Sequence, residues 1–290
     1  MVEVRFATLD DTAGIVEVHQ SNEDTDKLRN AKSLVDKWKL GGPWMALETC
    51  AIHLNYILNT DYFIPLVAEY NNKIVGEAEV ITGEDIEHGK HMHISVIYVH
   101  KKYQRKGIGS LLINQLFKLA QDRDIHKITV NVEPAAKVFY EKHGFLPLRK
   151  IFTYSVPVTP SNRDSITVDT VREVEKDSVC FEKYLSEKRM CIGNYQSSKH
   201  MWFSLLQEKY PFFSIRTFFL DTHNFIVFNT RISDKKVASV YMWGEFTPNV
   251  LETIKHLAYN LRYKEILIGI QEKNFPARFK YVDEIWYKEL

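Results

Sequence analysis

The stretch His93-Ile94-Ser95-Val96-Ile97-Tyr98-Val99 leads, through His100–Lys102, into Tyr103-Gln104-Arg105-Lys106-Gly107-Ile108-Gly109-Ser110. Its alternation and β-branching predict a strand. The amphipathic run Ser110–Gln121 predicts a helix right after it, burying Leu111, Leu112, Phe117, Leu119 and Ala120. Gly107 and Gly109 let the chain turn tightly and bring backbone N–H groups close to a ligand. The helix start adds unsatisfied N–H groups and the positive end of its dipole. With Arg105 and Lys106 supplying charge, this is a nest suited to a pyrophosphate. Taken alone, the same spacing also fits an ordinary strand-to-helix turn.

Working outward, the surrounding elements follow a mixed α/β (α+β) order. Upstream come a strand at Val2–Phe6, a helix at Leu9–Gln20 with an acidic first turn, and two helices between Glu23 and Leu58, broken at Gly41-Gly42-Pro43. Strands at Phe63–Tyr70 and Lys73–Thr82 meet at Asn71-Asn72, a hairpin signal, and Lys90–His100 is a third strand. Downstream come a strand at His126–Val132, a short helix at Ala135–His143 stopped by Gly144, and a long strand or strand pair at Phe145–Val156.

In that order the chain resembles the GCN5-related N-acetyltransferase (GNAT) superfamily. The resemblance is carried by Ile97-Tyr98-Val99 ending a strand, by QRKGIG at Gln104–Gly109, and by FYEKHGF at Phe139–Phe145. It implies a mixed central sheet flanked by helices, and acetyl-CoA or another acyl-CoA as co-substrate. The donor would be held by Ile97, Tyr98, Val99, Gln104, Arg105, Lys106, Gly107, Ile108, Gly109, Ser110, Ala136 and Phe139. Within this set, the backbone of Ile97 and Val99 would pair with pantetheine, and the amides of Arg105 to Ser110 would hold the pyrophosphate. The resemblance also implies direct attack of a deprotonated amine on the thioester, with Tyr140 as general acid to the leaving thiolate.

The base is left open. Many relatives carry a glutamate two residues before the position of Ile97, where this chain has Ser95. By the period-2 rule His91 and His93 share a face with Ser95, and Glu77 and Glu79 form a similar pair on the neighbouring strand. The candidates are His93, Glu79 or a water chain. Glu133 stands where many relatives have an asparagine near the cofactor. The missing strand carboxylate also supports a rival reading, a non-catalytic acyl-CoA-binding or regulatory module.

The 290 residues carry 38 Lys+Arg and 37 Asp+Glu, a net charge of +1. That balance argues against a dedicated nucleic-acid binder, and Lys101 to Lys106 is accounted for by phosphates. No apolar run has the roughly 20 residues a membrane helix needs, and the acidic N-terminus is unlike a signal peptide. A cytoplasmic protein is expected, with Cys50, Cys180 and Cys191 as buried thiols. His88, His91 and His93 lack supporting ligands at metal-site spacing, so no metal is expected. The acceptor would be a small amine or a peptide; oligomeric state is not legible.

The chain divides near residue 160. Nine of the 12 glycines precede it, whereas 22 of the 37 aromatics follow it. Ser155–Asp164 (SVPVTPSNRD) reads as an extended linker. The expected organisation is a donor-binding domain over 1–156, a linker over 157–164 and a second, degenerate GNAT-like domain over 165–290. Lys118–Val132 aligns without gaps to His256–Ile270, and Phe6–Asp11 has a counterpart in Val171–Lys176. The first shift carries Gln104–Gly109 onto Met242–Thr247, where both glycines are lost and Glu245 would repel a phosphate. Such tandem proteins, mycothiol synthase-like ones included, are known in the superfamily. The aromatics of the second half, among them Trp202, Phe212, Phe213, Phe218, Phe219, Phe225, Phe228 and Trp243, either fill a core or wall an acceptor pocket where the halves meet.

Overall fold

The computed structural model of the chain describes residues 1–86, 88–160, 171–173, 190–192, 215–220 and 224–290. Cys180, Trp202, Phe212, Phe213 and residues 174–176 lie outside these, as does the side chain of Cys191. Strand β1 (Glu3–Phe6) is followed by a 3-10 turn and α1 (Thr12–Gln20). The region expected to hold two helices holds three, α2 (Thr25–Asn30), α3 (Leu34–Gly41) and α4 (Leu47–Leu58). The extra break has a local cause: Ser33 and Asp36 form a capping box that starts a fresh helix. Strands β2 (Phe63–Tyr70) and β3 (Lys73–Asp85) meet at Asn71 and Asn72, both left-handed with φ 50° and 60°, as a tight hairpin requires. Then come β4 (Gly89–Val99), α5 (Ile108–Asp122), β5 (Lys127–Asn131), α6 (Lys137–Lys142) and β6 (Leu146–Pro157).

The second half contributes β7 (Arg172–Glu173), β8 (Met190–Ile192), β9 (Ile215–Phe219), β10 (Phe225–Arg231) and β11 (Asp234–Trp243). It ends with α7 (Pro248–Asn260), β12 (Glu265–Ile270) and β13 (Arg278–Glu289). All the described strands join one sheet in the order β1-β2-β3-β4-β5-β13-β6-β12-β11-β10-β9-β7, with β8 beside β11. The order is a palindrome about the β13–β6 pair. On each side an antiparallel set ends in a parallel pair, β4 with β5 and β11 with β12, whose strands are joined through α5 and α7. The last strand of each half sits beside the other half's parallel pair: β13 lies between β5 and β6, and β6 between β13 and β12.

The segment read as a linker therefore begins as sheet, because Ser155, Val156 and Pro157 pair with Leu267, Ile266 and Glu265. Alternation along β6 and β13 places α5 and α7 over the same face, where Trp286 joins the core of the first half and Tyr154 that of the second. Helices α1 and α4 cover the opposite face, through Ile15, Val16, Cys50, Leu54 and Ile57. The buried face of α5 also differs from expectation. It is Ile108, Leu112, Ile113, Leu116 and Ala120, while Leu111 is 42% exposed and Phe117 and Leu119 are half-buried. The helix starts two residues earlier than its apolar run, at Ile108, which packs inward beside Gly76.

Candidate functional site

Strands β4 and β5 pair only from His91 to Ile94, against Lys127 to Val130, and then part. The parting coincides with a β-bulge: Glu79 faces Val96 and Val80 faces Ile94, so Ser95 is the extra residue. Beyond it, Ile97 to Val99 keep their ladder to β3 and lack one towards β5. The result is a cleft of about 280 Å³ lined by Ser95, Ile97, Tyr98, Val99, Gln104, Asn131, Glu133, Ala136 and Tyr140, among others. Ser95 Oγ is buried in it with no hydrogen-bond partner among the described residues.

The bulge corrects the face expected for the strand histidines. Period-2 alternation fails at Ser95, so His93 shares its face with Val96 and Tyr98. His93 is buried, with Nδ1 2.9 Å from Thr129 Oγ1, and His91 Nδ1 lies 2.9 Å from Gly89 O. Among the described residues no three metal-ligating side chains gather. Likewise, no helix is long and apolar enough to cross a membrane. Cys50 is a free buried thiol, pushed well above its ordinary pKa by burial.

The glycine loop lies at the cleft's end. Gly107 is the N-cap of α5 with φ 84°, a left-handed conformation that glycine adopts without strain, and nothing lies within 4 Å of where its Cβ would be. Gly109 does a different job: a Cβ there would come within 3.1 Å of the Phe139 ring. The first α5 amide bonded within the helix is that of Leu111, to Gly107 O at 3.1 Å, which leaves those of Ile108 to Ser110 turned outward. Gln104 Nε2 donates to Val99 O (3.2 Å) and to Asn22 Oδ1 (2.6 Å), fixing the loop to the end of β4. Lys106 rests over the Tyr103 ring, 5.2 Å from its centroid, and Arg105 is also left-handed, at φ 58°.

Helix α6 closes the other wall. Tyr140 is 4% exposed, packed on Phe139 and Phe145, and burial followed by the charge of Glu133 raises its pKa well above the ordinary phenol value. His143 ties this helix to the loop, with Nδ1 2.7 Å from Phe139 O and Nε2 3.1 Å from Ser110 Oγ.

Behind β4, Glu77 and Glu79 share one buried face. Glu77 pairs with His19 of α1, and burial pushes its carboxyl upward against the pull of that histidine. Glu79 accepts from Trp44 Nε1 at 2.7 Å and lies 3.0 Å from His53 Nε2. The His19 ring is sandwiched between Trp44 and Tyr98, with centroids 5.1 and 4.4 Å away. Neither Glu79 nor His93 lines the cleft. His19, His53, Trp44 and Asn22 were not singled out from the sequence. The signal for them was the carboxylate pair itself, since two buried carboxylates on one strand face require donors from the helices that cover it.

Residues 54–153 match the acetyltransferase (GNAT) domain family. Glucosamine 6-phosphate N-acetyltransferase of Schizosaccharomyces pombe is 28% identical over 105 residues, 34% of this chain and 95% of that protein. The enzyme of the same name in Candida albicans is 41% identical over 59 residues, 20% of this chain and 40% of that protein. Two solved structures share the fold across 100% of this chain. One is a GCN5-related N-acetyltransferase from Anabaena variabilis ATCC 29413, at TM-score 0.65, 12% identity and 73% of that chain. The other is a tandem GNAT protein from the clavulanic acid biosynthesis pathway, at TM-score 0.57, 11% identity and 98% of that chain. With the parted strands, the glycine-capped helix and the aromatic helix in one place, residues 54–153 match the acetyltransferase (GNAT) domain family and the chain shares the fold of GCN5-related N-acetyltransferases.

Proposed function

We propose that the chain transfers an acetyl group from acetyl-CoA to a primary amine, with the donor held in the first half only. The observation that carries this is the parting of β4 and β5 next to a helix whose N-cap, Gly107, has no side chain to cap it. Pantetheine would take the place of the missing strand against Ile97 and Val99, which have no ladder on that side, Val99 O being held by Gln104 and Asn22. The pyrophosphate would accept from the amides at the start of α5, with Arg105 and Lys106 beside it.

In the reaction the amine nitrogen attacks the thioester carbon, the C–S bond breaks and coenzyme A leaves as a thiolate. Tyr140 stands in the cleft as a protonated phenol. A thiol's ordinary pKa of about 8.5 lies below that of tyrosine, so Tyr140 stabilises the thiolate by donating a hydrogen bond more than by surrendering its proton. The amine must first lose a proton. Glu79 is engaged by Trp44 and His53 and His93 by Thr129, which favours water as the carrier; Glu133 is the only carboxylate lining the cleft among the described residues.

Among the described residues, the second half offers no counterpart of the glycine loop or of the open strand edge. Strand β11 ends at Trp243 and α7 begins at Pro248, leaving a loop of four residues (244–247) where the first half has eight (100–107). Met242 and Trp243, expected in that loop, are buried strand residues. Thr247 caps α7 through Val250 N, and Pro248 removes a further amide. The edge of β11 at Met242 and Trp243 is already paired, with β8.

The test is thiol release from acetyl-CoA with a panel of primary amines. Turnover of an amine supports the reading. Tight acetyl-CoA binding with no turnover on a broad panel, and residual hydrolysis unaffected by Tyr140→Phe, would instead establish a non-catalytic acyl-CoA-binding module.

A further inference from the structure

A second cavity, of about 110 Å³, opens on the sheet face opposite α5 and α7, where the two halves join. Five strands build it: Asn131 comes from β5, Ile151 and Thr153 from β6, Ser239 and Tyr241 from β11, Leu267 and Gly269 from β12, and Tyr281 and Asp283 from β13. Asn131 lines this cavity and the donor cleft alike, so the two spaces adjoin at the end of β5. The register fixes the relation. Ile285 faces Asn131, and Asp283 projects from the same face of β13 two residues further on, just past the end of β5.

The chemistry of the cavity is one-sided. Asp283, exposed at the mouth of the cavity, has neither a hydrogen bond nor an ion pair among the described residues, and partial desolvation raises its carboxyl. After burial and the Tyr281 phenol, its charge also bears on Tyr241, opposed by that of Arg231, which does not line the cavity. The hydroxyls of Thr153, Ser239, Tyr241 and Tyr281 complete a polar wall, and no Lys or Arg lines it among the described residues. Arg149, on the same face of β6, lies against His88 at 2.7 Å. A carboxylate without a cation, ringed by hydroxyls, complements a cation that carries hydroxyls.

We infer that this junction is the acceptor site, that Asp283 anchors the incoming ammonium, and that the substrate is a hydroxylated primary amine without a phosphate group. The inference rests on the donor reading above and goes beyond it in two respects. The second half, which holds no donor, supplies acceptor contacts through Ser239, Tyr241, Tyr281 and Asp283. Substrate preference also departs from the sugar phosphate named for the two yeast relatives.

The experiment uses the full chain, acetyl-CoA, and four acceptors: ethanolamine, glucosamine, glucosamine 6-phosphate and a lysine peptide. Thiol release gives KM and kcat for each, and calorimetry gives acetyl-CoA affinity for wild type, Asp283→Asn and Tyr281→Phe. The expected result is a lower KM for glucosamine or ethanolamine than for the phosphorylated sugar. Asp283→Asn should raise that KM at least tenfold, Tyr281→Phe should raise it less, and both should leave acetyl-CoA affinity within twofold. Preference for glucosamine 6-phosphate or for the peptide overturns the inference while leaving the donor reading intact. So do unchanged KM values in both variants, or bound acetyl-CoA with none of the four amines acetylated. Failure of wild type to bind acetyl-CoA overturns the donor reading, and the acceptor site falls with it.

Discussion

Tyr140 and Gly107 illustrate how much a single position decides in this site. The hydroxyl of Tyr140 is the one acidic proton that α6 brings into the cleft. Tyr140→Phe keeps the ring packed on Phe139 and Phe145 and removes that proton alone. It should lower kcat about 100-fold, the usual worth of one positioned hydrogen-bond donor to a developing anion, with acetyl-CoA affinity by calorimetry within twofold of wild type. Gly107 is different, because its role is to be absent. Its φ of 84° costs another residue about 1–2 kcal/mol, and the open space beside it is where a pyrophosphate would rest. Gly107→Glu places a carboxylate there and should reduce acetyl-CoA affinity at least 100-fold while the far-UV circular dichroism spectrum is retained; retained affinity would refute the phosphate nest. The local placement of both was legible in the sequence, because a left-handed glycine before a helix and a Phe-Tyr pair before His143-Gly144 leave local traces. Ser95 was legible as a departure from the family. Its place in a bulge was not, since a bulge is a mismatch between two strands and neither strand's alternation records it alone.

Among the elements, β1 and α1 are joined by an ion cluster that gives the first half a measurable pH response. Arg5 donates to both carboxylate oxygens of Asp11, at 2.8 and 2.7 Å, and to Glu69 across the β1–β2 ladder. Burial raises the Asp11 carboxyl, but Arg5 and the Thr8 amide outweigh it and hold the group below its usual 3.8. A carboxyl lowered by folding lends stability above its unfolded pKa and loses it as pH falls through the folded one. Asp11→Ala should therefore cost about 1–3 kcal/mol in urea unfolding at pH 7. The gap to wild type should close progressively below about pH 4; a constant gap would mean that the cluster contributes packing alone. Elements of this kind, built from neighbours in sequence, were the readable part of the fold. The Asn71-Asn72 hairpin and the break at Gly41–Pro43 are stated by their own residues. The face of α5 was misjudged at Leu111 because the helix begins at Ile108, inside the glycine loop, ahead of the apolar run that defined it.

At the scale of the whole molecule the two halves share one sheet. Trp286 lies late in the sequence yet belongs to the first half's core, 3% exposed among Val130, Phe145 and their neighbours. Trp286→Ala should destabilise the protein by about 3–5 kcal/mol and shift a single unfolding transition, with both halves melting together. Two separate transitions would argue against that coupling. A 1–160 fragment should fail to bind acetyl-CoA although it contains every residue lining the donor cleft, because β5 and β6 then lose the strand between them. The internal repeat was visible at Lys118–Val132 and His256–Ile270; the exchange of last strands was not, because β6 and β13 read as ordinary final strands whichever sheet they enter. That exchange has a consequence during synthesis. The ribosome delivers residues 93–140 well before 278–289, so the nascent donor cleft leaves the exit tunnel with β5 exposing an unpaired edge. That edge finds its partner only once β13 has emerged. The second half thus supplies the last strand of the first half's sheet, and until it arrives the β5 edge is open to pairing with other chains, which a chaperone shielding that edge would prevent.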